Sequence, residues 1–414
     1  METFFNTHTL VALFILVYFI EAMAKYLNFK TSQAPLPPEL RDLQTPDAQL
    51  KASQYLRERI ILATLRDAFF LILFLVLLTQ GFFGWLQNFA FGLSPSILIQ
   101  SLVFAGVLIA GQSLLEIPFS AYSTFKIESR YGFNRTSVVT FTGDLVKGAV
   151  VGGILGGLIF SFIVYMLGTF GEHSWIAIWL GYTALQFFLV WIAPVALLPL
   201  FLKLSPLPDG ELLTAINAYS EKQSFKLDGV WVCDASKRSA KSNAFFTGFG
   251  KFRRLVLFDT LIEKHSQDEI VAIVAHEAGH FKLGHIWQLS LFSGLSTLVF
   301  FFLIQQMVGS DALYHTFKTQ NTNVGIGLVL ATIVIGKLGF FFSPIRSYFS
   351  RRNEYAADHF SLKTTGDARA LADGLKRLVT DNLATLQHHP LYVILHDSHP
   401  PLPDRLKPLQ NRAI

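Results

Sequence analysis

Cysteine is all but missing: Cys233 is the only one in 414 residues. An internal disulfide and a cysteine-built zinc ribbon are therefore excluded, and any bound metal must rest on histidines and carboxylates. Charge is scarce as well. Only 15% of residues are charged, against about 25% in a soluble domain. No basic cluster with interleaved aromatics occurs, so the net charge of +5 argues for basic loops and against nucleic-acid binding. The opening residues, "METFFNTH", hold no Lys or Arg. The apolar run behind them lacks the positive leader of a secretory signal and reads as a retained first span.

What is present in excess is apolar. The chain is 51% hydrophobic and carries 40 Phe, which places it among integral membrane proteins. Seven stretches approach the ~20 residues a crossing helix needs: roughly 8–24, 68–89, 96–118, 148–170, 175–202, 286–308 and 324–343. Lys and Arg crowd the segments after the odd-numbered spans, from Lys25 to Arg66, at Lys126, Arg130, Arg135 and Lys147, through 204–285, and from Arg346 to Arg352. The alternate connections are nearly bare. This alternation predicts an outside N-terminus and a cytoplasmic C-terminus. A helix is expected at 48–66, strands at "DGVWVCDAS" and "RRLVLFDTL", and a polar helix over 366–388. The chain divides into a five-span membrane domain, 1–203, and a second domain, 204–414, that includes spans 286–308 and 324–343.

Residues 276–280 read His-Glu-Ala-Gly-His. A spacing of four sets His276 and His280 on one helical face, where both can grip one ion. Glu277 lies about 100° around from His276, placed to take a proton from a water beside the ion. Ser266 and Glu269 form a capping-box pattern at the helix start. Two histidines are too few for catalytic zinc, which takes three protein ligands. The best further donor is in "SRRNEYAADHF", where Glu354 could ligate and Asp358 could hydrogen-bond a ligand imidazole. The alternative is a solvated helix with an Arg–Glu pair. Two spans separate His280 from Glu354, so both fall on one side of the membrane. His285, nine residues past His276, turns about 180° away on a continuous helix and is read as a residue behind the ligands or at the interface, outside the ligand set.

HEAGH, then "RRNEYAADHF", then "SHPPLPDRL" resembles the integral-membrane zinc metalloproteases typified by the eukaryotic CAAX prenyl protease. "PFSAYSTFKIESRYGFNRTS" and "SNAFFTGFGKFRRLVLFDTLIE" extend the resemblance nearly end to end. The resemblance implies a mainly α, seven-helix membrane protein enclosing a chamber, with a small α+β gluzincin-type protease domain on the cytoplasmic side. It implies one Zn²⁺ per chain on His276, His280 and Glu354, with Glu277 as base. It further implies that Asn243 and Ala244 lie on a strand edge that pairs with substrate, that His399 donates to the oxyanion, and that Arg405 anchors that corner against Asp358. The expected substrate is a membrane-associated or C-terminally lipidated (CAAX-like) peptide, and the protein is expected to act as a monomer within the lipid bilayer. The competing readings are a quality-control protease of the HtpX type and a non-catalytic scaffold or transporter with a residual zinc site. The short connection between spans six and seven, the chain length and the plain tail "NRAI" point to a bacterial inner membrane, with the endoplasmic reticulum as the location if the source is eukaryotic.

Overall fold

A chain segment without Gly or Pro stays helical as long as nothing interrupts its hydrogen bonds. The computed structural model describes residues 6–37, 40–41, 43–224, 227–247, 254–320 and 323–410. Between Asp47 and Thr79 the sequence has neither Gly nor Pro, and a single helix runs Pro46–Thr79 behind its Thr45 cap. The loop helix expected at 48–66 and the span expected at 68–89 are therefore one element. It ends where Gly81 turns left-handed (φ 75), so the span stops at Thr79 and a separate short helix, Phe82–Leu93, follows. Span five is also shorter than expected. Its helix is Ser174–Ile192, and a π turn at 193–197 follows where Pro194 removes an N–H.

Six helical runs are long and apolar enough to cross a membrane. One of them, Val138–Ile192, is 55 residues long and is broken at Gly171 (φ 55). Its halves, Val138–Phe170 and Ser174–Ile192, pack side by side. A Cβ on Gly181 would lie 2.5 Å from the Phe162 ring, so only glycine admits that contact. Counting the halves separately gives seven spans. None of the most apolar stretch of Pro46–Thr79 is buried, and only 22% of that of Thr7–Ser32. A close-packed bundle covers one face of each helix. These two helices lack that cover, whereas 44% of the apolar stretch of Val324–Thr365 is buried; together the seven spans enclose a chamber.

Past the fifth span the chain forms a four-stranded sheet in the order β1 (Leu204–Pro206), β2 (Val230–Cys233), β4 (Arg254–Phe258), β3 (Ala244–Thr247). Strands β2 and β4 are parallel and the outer pairs antiparallel. Leu255, Leu257, Ile270, Val274 and Ala278 close the sheet against the helix Gln267–Lys282, each large side chain contributing ~1.5–3 kcal/mol by burial. The polar helix expected over 366–388 is Ala368–Asp381.

The two halves are stitched together beside β3. Asn134 bridges to Ser239, Arg135 N donates to Arg238 O (3.0 Å), and Ala240 N donates to Phe133 O (3.0 Å). Arg238 forks onto Asp144 at 2.9 and 3.0 Å. Lys241 Nζ reaches Glu128 (3.0 Å) and the Tyr55 hydroxyl (2.7 Å).

Candidate metal centre

The helix Gln267–Lys282 starts with both arms of the predicted capping box in place, at 3.3 Å each. Its four-residue spacing sets His276 Nε2 3.2 Å from His280 Nε2. A second helix, Ser343–Thr365, crosses it at Gly279. A Cβ on Gly279 would sit 3.1 Å from Ala357 Cα, so glycine permits the backbones to approach this closely. Ser361 Oγ donates to Ala272 O at 2.8 Å and adds a buried tie between the two helices.

That crossing delivers Glu354. Its Oε2 lies 3.3 Å from His276 Nε2 and its Oε1 3.2 Å from His280 Nε2. With bonds of ~2.0–2.2 Å, a tetrahedral ion separates its ligands by about 3.3–3.6 Å; the donor pairs here, one carboxylate oxygen to each imidazole, lie close to that spacing. Glu354 Oε2 is buried with no hydrogen-bond partner among the described residues. A buried carboxylate oxygen without a donor calls for a cation. The residues present fit a zinc ion. Among the described residues this is the only cluster of three or more such donors found.

Behind the triangle, His276 Nδ1 donates to Asp358 Oδ1 at 2.8 Å. Arg405 holds the same carboxylate through Nε and Nη2, at 2.8 and 2.6 Å, and its Nη1 stands 3.6 Å from Glu354 Oε2. The arrangement fixes the proton on Nδ1 and turns the Nε2 lone pair into the site. Burial pulls the His276 imidazolium down, but hydrogen bonds to Asp358 and Glu354 outweigh it and carry the group up to about 9. Glu277 is partly exposed, and burial of its carboxyl raises its pKa.

His399 places Nε2 3.3 Å from Glu354 Oε1 while its side chain stays 64% exposed. Its Nδ1 meets Ser398 Oγ at 2.9 Å. Asn243 and Ala244 belong to a different element. Asn243 is exposed and accepts from Ala244 N at 2.9 Å, where β3 begins at the edge of the sheet. His285 lies outside the donor set, as read, and its Nδ1 backs a ligand ring at 3.0 Å from His280 Nδ1. Gly284 (φ 72) separates the motif helix from span six, so counting angles along one continuous helix fails there. A glycine just past the last motif turn was the available signal.

Residues 25–203 match the family model described as CAAX prenyl protease N-terminal, five membrane helices, and residues 206–413 match that of peptidase family M48. The chain belongs to peptidase family M48. This M48 peptidase is 32% identical to CAAX prenyl protease 1 of Saccharomyces cerevisiae, over 92% of this chain and 89% of that one. The Homo sapiens CAAX prenyl protease 1 homolog is 32% identical over 75% of this chain and 74% of its own. The crystal structure of S. mikatae Ste24p superposes with a TM-score of 0.91 at 32% identity, covering 97% of this chain and 98% of that one. The M48 peptidase is thus a zinc metallopeptidase and a multi-pass integral membrane protein acting on a peptide or protein. The Arabidopsis thaliana homolog is matched over 96% of both chains, so the extra length expected of eukaryotic members is not common to all of them.

Proposed function

We propose that this chain is a membrane-embedded endopeptidase that cleaves C-terminally lipidated, CAAX-like peptides, with His276, His280 and Glu354 holding the zinc. The observation that carries it is the convergence of three donor groups, with His276 Nε2 and His280 Nε2 3.2 Å apart and one Glu354 oxygen 3.2–3.3 Å from each, beside a chamber of apolar helices. The printed names of the relatives support the substrate class. Residues 1–203 supply five of the chamber's seven spans, and residues 204–414 supply the other two and the chemistry. Charge alternation along the loops supports a cytoplasmic site, and the short connection between spans six and seven is what favours a bacterial inner membrane. The protein acts as a monomer and binds no nucleic acid.

Zinc bound in the triangle supplies a Lewis acid and acidifies water. Glu277 accepts the proton of the attacking water and later returns it to the leaving amine. Burial raises its pKa, which makes the carboxylate a stronger base than a solvated one. Ser398 donates to His399 Nδ1, which leaves the proton on Nε2 to face the oxyanion. Asp358 and Arg405 hold His276 in register. The free edge of β3, from Asn243 and Ala244, pairs with the extended substrate backbone.

The test is cleavage by the purified full-length protein in lipid nanodiscs. A farnesylated CAAX peptide is expected to be cut at least about tenfold faster than the same peptide without its lipid, and chelator is expected to stop both. Equal rates on the two peptides would remove lipidation from the substrate description. Chelator-resistant cleavage would remove the metal from the mechanism.

Metal loading carries its own pH dependence. Below pH 9 the His276 ring holds a proton that an incoming cation must displace. Apparent zinc affinity is therefore expected to fall about tenfold for each pH unit from 9 to 7. Competition against a chelator at pH 7 and 8 measures it, and identical affinities would contradict the assignment of His276.

A further inference from the structure

Lys147 immediately precedes the apolar stretch at 148–170, and Lys203 immediately follows the one at 175–202. The spans are antiparallel neighbours, so both lysines fall at one membrane boundary. Lys147 Nζ donates to Leu200 O at 3.0 Å. Between this boundary and the sheet lies a cavity of about 440 Å³.

One side of its lining is apolar and includes Val195 and Leu200, which are 59% and 44% exposed. The other side is basic, with Lys147, Lys203, Lys237, Arg238 and Arg254. Two of these cations are already engaged. Arg238 pairs with Asp144, and Arg254 lies 4.7 Å over the Trp231 ring and 3.5 Å from Asp228. The three lysines have no carboxylate within 4 Å among the described residues. Asp234, the one acidic residue of the lining, is occupied by the backbone N–H of Lys203 at 2.7 Å. Lysines without a carboxylate partner at the end of span five, beside exposed aliphatic side chains, suit an anion that carries acyl chains.

We propose that this cavity binds the phosphate of an anionic phospholipid, held by Lys147, Lys203 and Lys237, with its chains along Val195 and Leu200. The cavity lies at the β1–β2 side of the sheet, opposite the β3 edge, so the site is separate from the zinc triangle. Its occupant ties the end of span five to the sheet.

Native mass spectrometry of the detergent-purified full-length protein tests it. The protein is offered equimolar phosphatidylglycerol and phosphatidylcholine with matched chains. The wild type is expected to retain the anionic lipid about tenfold over the zwitterionic one. Joint substitution Lys147→Gln, Lys203→Gln, Lys237→Gln abolishes that preference, whereas the control Lys222→Gln, Lys363→Gln, Arg369→Gln keeps it. Lys237 is exposed, so Lys237→Glu folds whatever the fate of the triple variant, and it is expected to lower retention severalfold. Millimolar inorganic phosphate leaves the lipid in place. Equal retention of both lipids, an unchanged preference in the lysine variants, or full displacement by phosphate would each overturn the proposal, the last by making free phosphate the occupant.

Discussion

Glu277→Gln is expected to lower peptide cleavage by roughly 10³-fold or more while leaving one zinc per chain. The substitution preserves size and shape and removes only the capacity to accept a proton. Glu277 is not part of the donor triangle, whose edges are set by His276, His280 and Glu354, so metal content should not change. Burial raises the pKa of the Glu277 carboxyl and so strengthens it as a base. The measurement is a quenched-peptide assay alongside elemental analysis of the same preparation. A variant that cleaves at more than about one-tenth of the wild-type rate would remove Glu277 from this role. A variant that also loses its zinc would show that the side chain positions the metal.

Glu354→Ala is expected to empty the centre. It removes one of three proposed ligands and leaves the two imidazoles without the carboxylate that faces them, while Arg405 keeps Asp358. Zinc affinity should fall by on the order of 10³-fold or more, with activity falling in parallel. Asp358→Asn provides the comparison. It touches no metal and weakens only the hold on His276 Nδ1 and on Arg405, so a smaller loss of ~10–100-fold in affinity follows. If Asp358→Asn costs more zinc than Glu354→Ala, the assignment of the third ligand is wrong.

The parts of the site that lie within one helix were legible. His276, Glu277 and His280 share a single helix, and the Ser266–Glu269 box that starts it is visible in the sequence. The side of the membrane on which Glu354 lies also followed, from counting spans. The closeness of approach did not. Gly279 looks like filler within the motif, yet it sets how near Ala357 can come. His285 falls outside the donor set and beside a ligand, as read, but a bearing computed along one helix does not account for that place, because Gly284 interrupts the helix. Span two was placed too late for a related reason. Hydropathy shows where a segment is apolar, whereas the conformation of Gly81 decides where the helix stops. The cavity beneath span five joins residues from 147 to 254, a spread that no local pattern could reveal.

The stitching of residues 133–135 to 238–240 bears on any attempt to work with half of this molecule. A fragment cut at residue 204 would keep all three zinc donors but lose the splint that braces the lead-in to Asn243 and Ala244. The amputated piece could chelate and still be unable to seat a peptide at a defined angle to the metal. The half before residue 204 is in this sense part of the jaw, and trimming it away would blunt the bite while leaving two apolar spans on the remainder.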